Sequence, residues 1–127
     1  MFALIEVKEI VGKLKFYKLL INNTCEFDLF CEQCIKDGNL KSEIIQLQAR
    51  MQQIADLNTL PIEKYRDITP KKDPIKEYEI KTKHLRAYLF HDKENGRVIV
   101  SCGKKTTQKA DISSFRKTKK EYFNLKT

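Results

Sequence analysis

The sequence predicts an α+β fold: a small antiparallel sheet flanked by an N-terminal helical hairpin and a C-terminal helix, with the helices on one side. Three observations predict it. Apolar and polar residues alternate with period two from Tyr78 onward, around an Asn95-Gly96 turn. Two stripes of helical period precede that region, and a third follows it.

The elements follow in order. Residues 2–7 (FALIEV) and 15–21 (KFYKLLI) are short apolar runs divided by Gly12, and they read as an opening strand pair. Asn22-Asn23-Thr24 punctuates the chain. Phe27, Phe30, Cys31, Cys34 and Ile35 then take helical spacing until Asp37-Gly38 stops it. Residues 42–57 form the clearest helix. Ile44, Leu47, Met51 and Ile54 make its stripe, Ile45 and Ala55 flank it, and Ser42 suits the cap. So short a link between two helices predicts an antiparallel pair. Pro61, Pro70 and Pro74 bracket a segment expected to be irregular, which carries Lys64, Arg66, Lys71 and Lys72. Tyr78 and Ile80 alternate with Glu77, Glu79 and Lys81. In the next strand Leu85, Ala87 and Leu89 face one way, and His84, Arg86, Tyr88 and Phe90 the other. Asn95-Gly96 suits a type I′ turn joining residues 85–91 to 97–102, where Val98, Val100 and Cys102 are expected on one face. Asp111 fits a helix start, and Ile112, Phe115, Tyr122 and Phe123 give the last stripe.

The 127 residues suit a single domain, with residues 1–14 as an atypical N-terminal extension or first strand. No apolar run approaches the length of a membrane span. Charges at Glu6, Lys8 and Glu9 interrupt the start as a signal peptide, so a cytoplasmic location is expected. The single Cys31-x-x-Cys34 pair lacks the second pair of a structural zinc site, although Cys25, His84 and His91 are available. The thiols suit the apolar stripe better, so neither metal nor cofactor is expected.

Charge is segregated. Residues 1–60 hold 7 Lys/Arg against 8 Asp/Glu, whereas residues 61–127 hold 18 against 9. The whole excess of +8 therefore lies with the strand-rich half, and such a field attracts polyanions. An acidic protein partner fits the same field. Within it, Arg86 sits in mid-strand, either as a phosphate clamp or in a cross-strand pair with Glu77 or Glu79. Lys104, Lys105 and Lys109 follow Gly103, with Thr106, Thr107 and Gln108 as neutral donors. Arg116, Lys117, Lys119 and Lys120 extend the patch along the helix.

From Phe27 onward the chain resembles the RelE/ParE superfamily of type II toxin–antitoxin toxins, especially HigB-like and phage-derived members. Helical pair, strand with Leu85-Arg86-Ala87-Tyr88, Asn-Gly hairpin, then Gly103-Lys104-Lys105 through Gln108-Lys109, Asp111-Ile112 and Phe115 carry the likeness. The resemblance implies a RelE-like fold and a toxin that cuts mRNA on the ribosome without metal. The 2′-hydroxyl would attack phosphorus while basic side chains neutralise the phosphate. It implies Arg86, Lys105 and Lys81 as catalytic residues, and His84, expected on the face of Arg86, is the candidate to substitute for the family's proton-transfer residue. Lys104, Gln108, Lys109, Arg116 and Lys120 would be RNA-binding residues. The implied partners are mRNA, the ribosome and a cognate antitoxin, with no membrane. A non-catalytic RNA- or protein-binding module and a ParE-like gyrase inhibitor are the alternatives. His84 and His91 are the histidines available for proton transfer, since the C-terminal helix starts with neither tyrosine nor histidine.

Overall fold

A computed structural model describes residues 1–126. In chain order they form β1 (Phe2–Glu6), β2 (Phe16–Ile21), α1 (Glu26–Asp37), α2 (Lys41–Ala55), β3 (Tyr65–Asp67), β4 (Glu77–Lys81), β5 (Leu85–Asp92), β6 (Gly96–Lys104) and α3 (Gln108–Lys126). A single 3₁₀ turn, Lys105–Thr107, leads into α3.

The expected fold class needs correction. The sheet has six strands in the order β1-β2-β6-β5-β4-β3, and it is mixed because β2 runs parallel to β6. Two strands come first, so α1 and α2 do not form an N-terminal helical hairpin. The RelE-like layout of an antiparallel sheet with helices on one side therefore does not describe this chain. Helices cover both faces. Leu85, Ala87, Leu89, Ile80 and Phe16 pack with Leu47, Met51 and Cys34 of α1 and α2. Tyr88, Phe90, Val98 and Leu19 pack with Phe115 and Tyr122 of α3. The physical reason is in β5, which is apolar on both sides of its pleat and buried on both.

Most local readings match. α1 ends where Gly38 takes the left-handed conformation at φ 82° and donates its N–H to Cys34 O and Ile35 O. Ile44, Leu47, Met51, Ile54 and Ala55 are buried on α2, whereas Ile45 points out. Ser42 lies inside α2, and the cap position is Leu40 without a side-chain bond. The segment between the prolines is not wholly irregular: β3 pairs Tyr65 with Ile80 and Asp67 with Tyr78. Residues 2–6 are a first strand, with Phe2 opposite Ile21. No helix of the described residues is long and apolar enough to cross a membrane.

The β5–β6 hairpin forms, but Asp92 pairs with Gly96, so three residues make the loop. Asp92 accepts from Glu94 N at 3.0 Å and from Asn95 Nδ2 at 3.0 Å, which fixes it. A register shift follows: Leu89 faces Ile99 but Tyr88 faces Ser101, leaving Val100 extra. This bulge returns Val100 to the α3 face beside Val98 and turns Cys102 toward α1 and α2. The expected shared face of Val98, Val100 and Cys102 is thereby broken.

Candidate functional site

The β4–β5 turn and the exit of β6 meet at one end of the sheet. Lys81 pairs with Arg86 there, and Leu85 with Lys104. The chain then bends, and Lys105 N donates to His84 O at 2.7 Å. Lys83, His84, Lys104, Lys105 and Lys109 are exposed, and Lys81 is half-buried. Among the described residues none of these five lysines has an ion-pair partner. Like charges crowded on so short a stretch of surface raise the local potential and favour a polyanion.

His84 is fixed from below. Its ring is 57% exposed, while Nδ1 lies 2.6 Å from Oε2 of Glu43, whose side chain is only 9% exposed. Oε1 of Glu43 accepts the His84 backbone N–H at 2.7 Å and the Thr82 hydroxyl. Burial disfavours the Glu43 charge, but the bonds from Thr82 and His84 outweigh it and hold the carboxyl below its ordinary range. Glu43 is the residue that the sequence reading missed. The signal was present: Glu43 lies four and eight residues before Leu47 and Met51, so it continues the buried stripe of α2. Arg50, about two helical turns beyond Glu43, donates to Lys81 O and ties α2 to the same end.

Arg86 is at this end too, but turned inward. It is 6% exposed, and Nη1 donates to Thr82 O at 2.6 Å and Leu85 O at 2.8 Å. Its Nε is buried without a partner among the described residues. The guanidinium thus braces the β4–β5 turn, and no ion pair with Glu77 or Glu79 forms. Arg86 and His84 diverge, the first onto the α3 face and the second toward α2. Gly103, the register partner of Arg86, carries the Asp111 carboxylate so closely that a Cβ there would stand 2.0 Å from Oδ2.

The buried carboxylates of β4 explain where much of the α3 charge goes. Glu77 accepts Arg116 Nε at 2.9 Å and Lys119 Nζ at 2.8 Å. Lys119 also reaches Asp73 at 2.9 Å and Ile75 O at 2.8 Å. Glu79, fully buried, takes Arg66 at 3.0 Å and Gln108 Nε2 at 2.8 Å. Of the residues expected to hold RNA, Gln108 and Arg116 therefore bond inward, whereas Lys104 and Lys109 face solvent. Lys120 is exposed but lies about 18 Å along α3 from Gln108. His91 sits near the opposite, hairpin end, half-buried and stacked on Tyr78 at 5.0 Å. Burial and the Arg97 charge push it down to about 4.

Cys25, Cys31 and Cys34 are buried and Cys102 half-buried, all as free thiols. Burial pushes Cys31 up to about 12, which keeps it protonated and inert. Among the described residues no cluster of His, Cys, Asp and Glu could hold a metal ion. No protein-family model, curated protein or solved structure matches this chain. What the site offers chemically is therefore read from its own side chains: an oriented imidazole for proton transfer, amid ammonium groups that can neutralise phosphate.

Proposed function

We propose that this chain is the toxin of a type II toxin–antitoxin pair and acts as a metal-independent mRNA endoribonuclease in the context of the ribosome. One observation carries the reading: an exposed histidine stands among five lysines without ion-pair partners at one end of the sheet. Lysines can bind several phosphates along a strand of RNA, and an imidazole open to solvent can take up and give back a proton, so the patch combines affinity with proton transfer. The antitoxin would cover the same basic end. A second reading has a specific observation in its favour. Arg86 directs its Nη1 donors to main-chain carbonyls, which removes the expected clamp and suits a module that holds RNA without cutting it.

Induction followed by primer extension on cellular transcripts tests the proposal. Ribosome-dependent cuts and growth arrest are the expected result. RNA binding that weakens with salt but leaves transcripts whole would establish the binding module instead. Growth arrest with intact transcripts and inhibited DNA supercoiling would point to a gyrase-directed toxin. In the binding assay, Lys104→Ala, Lys105→Ala and Lys109→Ala together should flatten the slope of log K against log salt by about 2. An unchanged slope would mean that RNA lies elsewhere.

A further inference from the structure

We propose that Glu43 and His84 work as a couple, in which Glu43 is a positioning residue that holds the imidazole by Nδ1 and His84 is the catalytic residue that takes the proton of a ribose 2′-hydroxyl at Nε2. The inference rests on the endoribonuclease reading above and names the residue through which its histidine is set. Three features carry it. The carboxylate is buried on α2 while the ring it holds is mostly exposed, so one end of the imidazole is anchored and the other is open. Glu43 uses both oxygens on the same turn, since Oε1 takes the Thr82 hydroxyl and the His84 amide while Oε2 takes Nδ1. A carboxylate can only accept, so Nδ1 must carry the hydrogen, and neutral His84 presents the lone pair of Nε2 to solvent. Among the described residues Nε2 has no hydrogen-bond partner.

The step balances. The 2′-oxygen forms a bond to phosphorus as its proton passes to His84 Nε2. The P–O5′ bond breaks, and the leaving oxygen takes a proton from the Lys105 ammonium, whose backbone is bonded to His84 O. The products are a 2′,3′-cyclic phosphate and a 5′-hydroxyl. Imidazolium and amine then exchange protons with water. Buried Glu43 stabilises the imidazolium as it forms, as a carboxylate does in other carboxylate–histidine couples.

Glu43→Gln is the informative change because it preserves shape and reverses a hydrogen bond. Its carbonyl can keep the Thr82 and His84 amide bonds, which leaves the NH₂ group facing Nδ1. Nδ1 must then accept, and the hydrogen moves to Nε2. The ¹⁵N spectrum of the His84 ring should show the Nδ1–H tautomer in the wild-type chain and the Nε2–H tautomer in Glu43→Gln. Cleavage should fall about 100-fold or more through kcat, with RNA affinity unchanged. His84→Ala, which removes an exposed ring and should fold, ought to lose as much. The double variant should be no worse than either single one. Circular dichroism serves as the folding control for each. A wild-type ring found as the Nε2–H tautomer overturns the inference. So do Glu43→Gln and His84→Ala variants that cut at the wild-type rate, and in that case the nuclease reading survives without them. A wild type that cuts no RNA with ribosomes present overturns the nuclease reading itself.

Discussion

Replacing Glu77 by glutamine should unfold the α3 side of the molecule more readily than any surface change. The carboxylate is 1% exposed and receives one cation on each oxygen, Arg116 at 2.9 Å and Lys119 at 2.8 Å. Lys119 is 5% exposed, so it cannot turn to water when its partner loses charge. The amide also presents donors to one of two donors already in place. Breaking a buried pair on one side costs about 3–5 kcal/mol. Two features argue for the lower end: Asp73 still faces Lys119, and the Arg116 side chain, 41% exposed, can relax outward. About 3 kcal/mol is a large part of the roughly 5–15 kcal/mol that holds a domain folded. It should lower Tm by about 10 °C at this chain length. Urea denaturation followed by circular dichroism measures the loss. Replacing Glu77 and Lys119 together by leucine should recover most of it, because the buried charges leave as a pair. A loss below about 1 kcal/mol would refute the reasoning, as would one that vanishes in about 1 M salt, where exposed pairs are screened and buried ones are not.

Arg86→Ala should cost about 2 kcal/mol of stability, since the change leaves the carbonyls of Thr82 and Leu85 short of a donor, and urea titration would detect it. Arg86→Lys should recover part of that loss. Gly103→Ala should destabilise by about 1–3 kcal/mol and loosen the start of α3, visible as faster hydrogen exchange there, because the new Cβ would meet the Asp111 carboxylate. For His91 the sign runs toward acid. Its folded-state value of about 4 lies below the ordinary 6.5, so the unfolded chain takes up the proton first. Its contribution is complete above about 6.5 and is lost as pH falls toward 4, with Arg97 and Lys76 opposing the charge and Asp67 favouring it. His91→Gln should flatten the stability–pH curve in that window.

The parts of this structure that were legible in the sequence are those set by local period. Leu85, Ala87 and Leu89 against Arg86, Tyr88 and Phe90 could be sorted because a strand alternates, and Gly38 could be read as a stop because few other residues take its φ. The parallel pairing of β2 with β6 left no such mark, since it depends on burying Phe16 against strands far along the chain. Two signals were present but carried more than they were credited with. A β5 with large apolar residues on both sides of its pleat implies cover on both faces, and a glutamate on the Leu47–Met51 stripe implies a buried partner. The Val100 bulge inverted the expected side of Cys102, because one inserted residue reverses every position beyond it. At the site, the grouping of Lys104 and Lys105 with Lys81 and His84 followed from register. The inward turn of Arg86 did not, because its partners are main-chain oxygens that no residue type announces.

The pairing of β2 with β6 also governs when the molecule can form. Phe16 and Arg97 lie roughly 80 residues apart, so the centre of the sheet closes only after most of the chain exists. During synthesis β1 and β2 can pair with each other, but the next strand in the sheet has not yet been made. Folding should therefore be slow relative to a helical protein of this length, and a nascent chain halted before β6 would expose an unpaired apolar edge at β2. Lys104, Lys105 and Lys109 of the basic end arrive with β6 or just after it, whereas Lys81 and Lys83 come earlier, with β4 and its turn. Charge patch and sheet centre are thus completed together, and a product truncated before β6 would have neither whole.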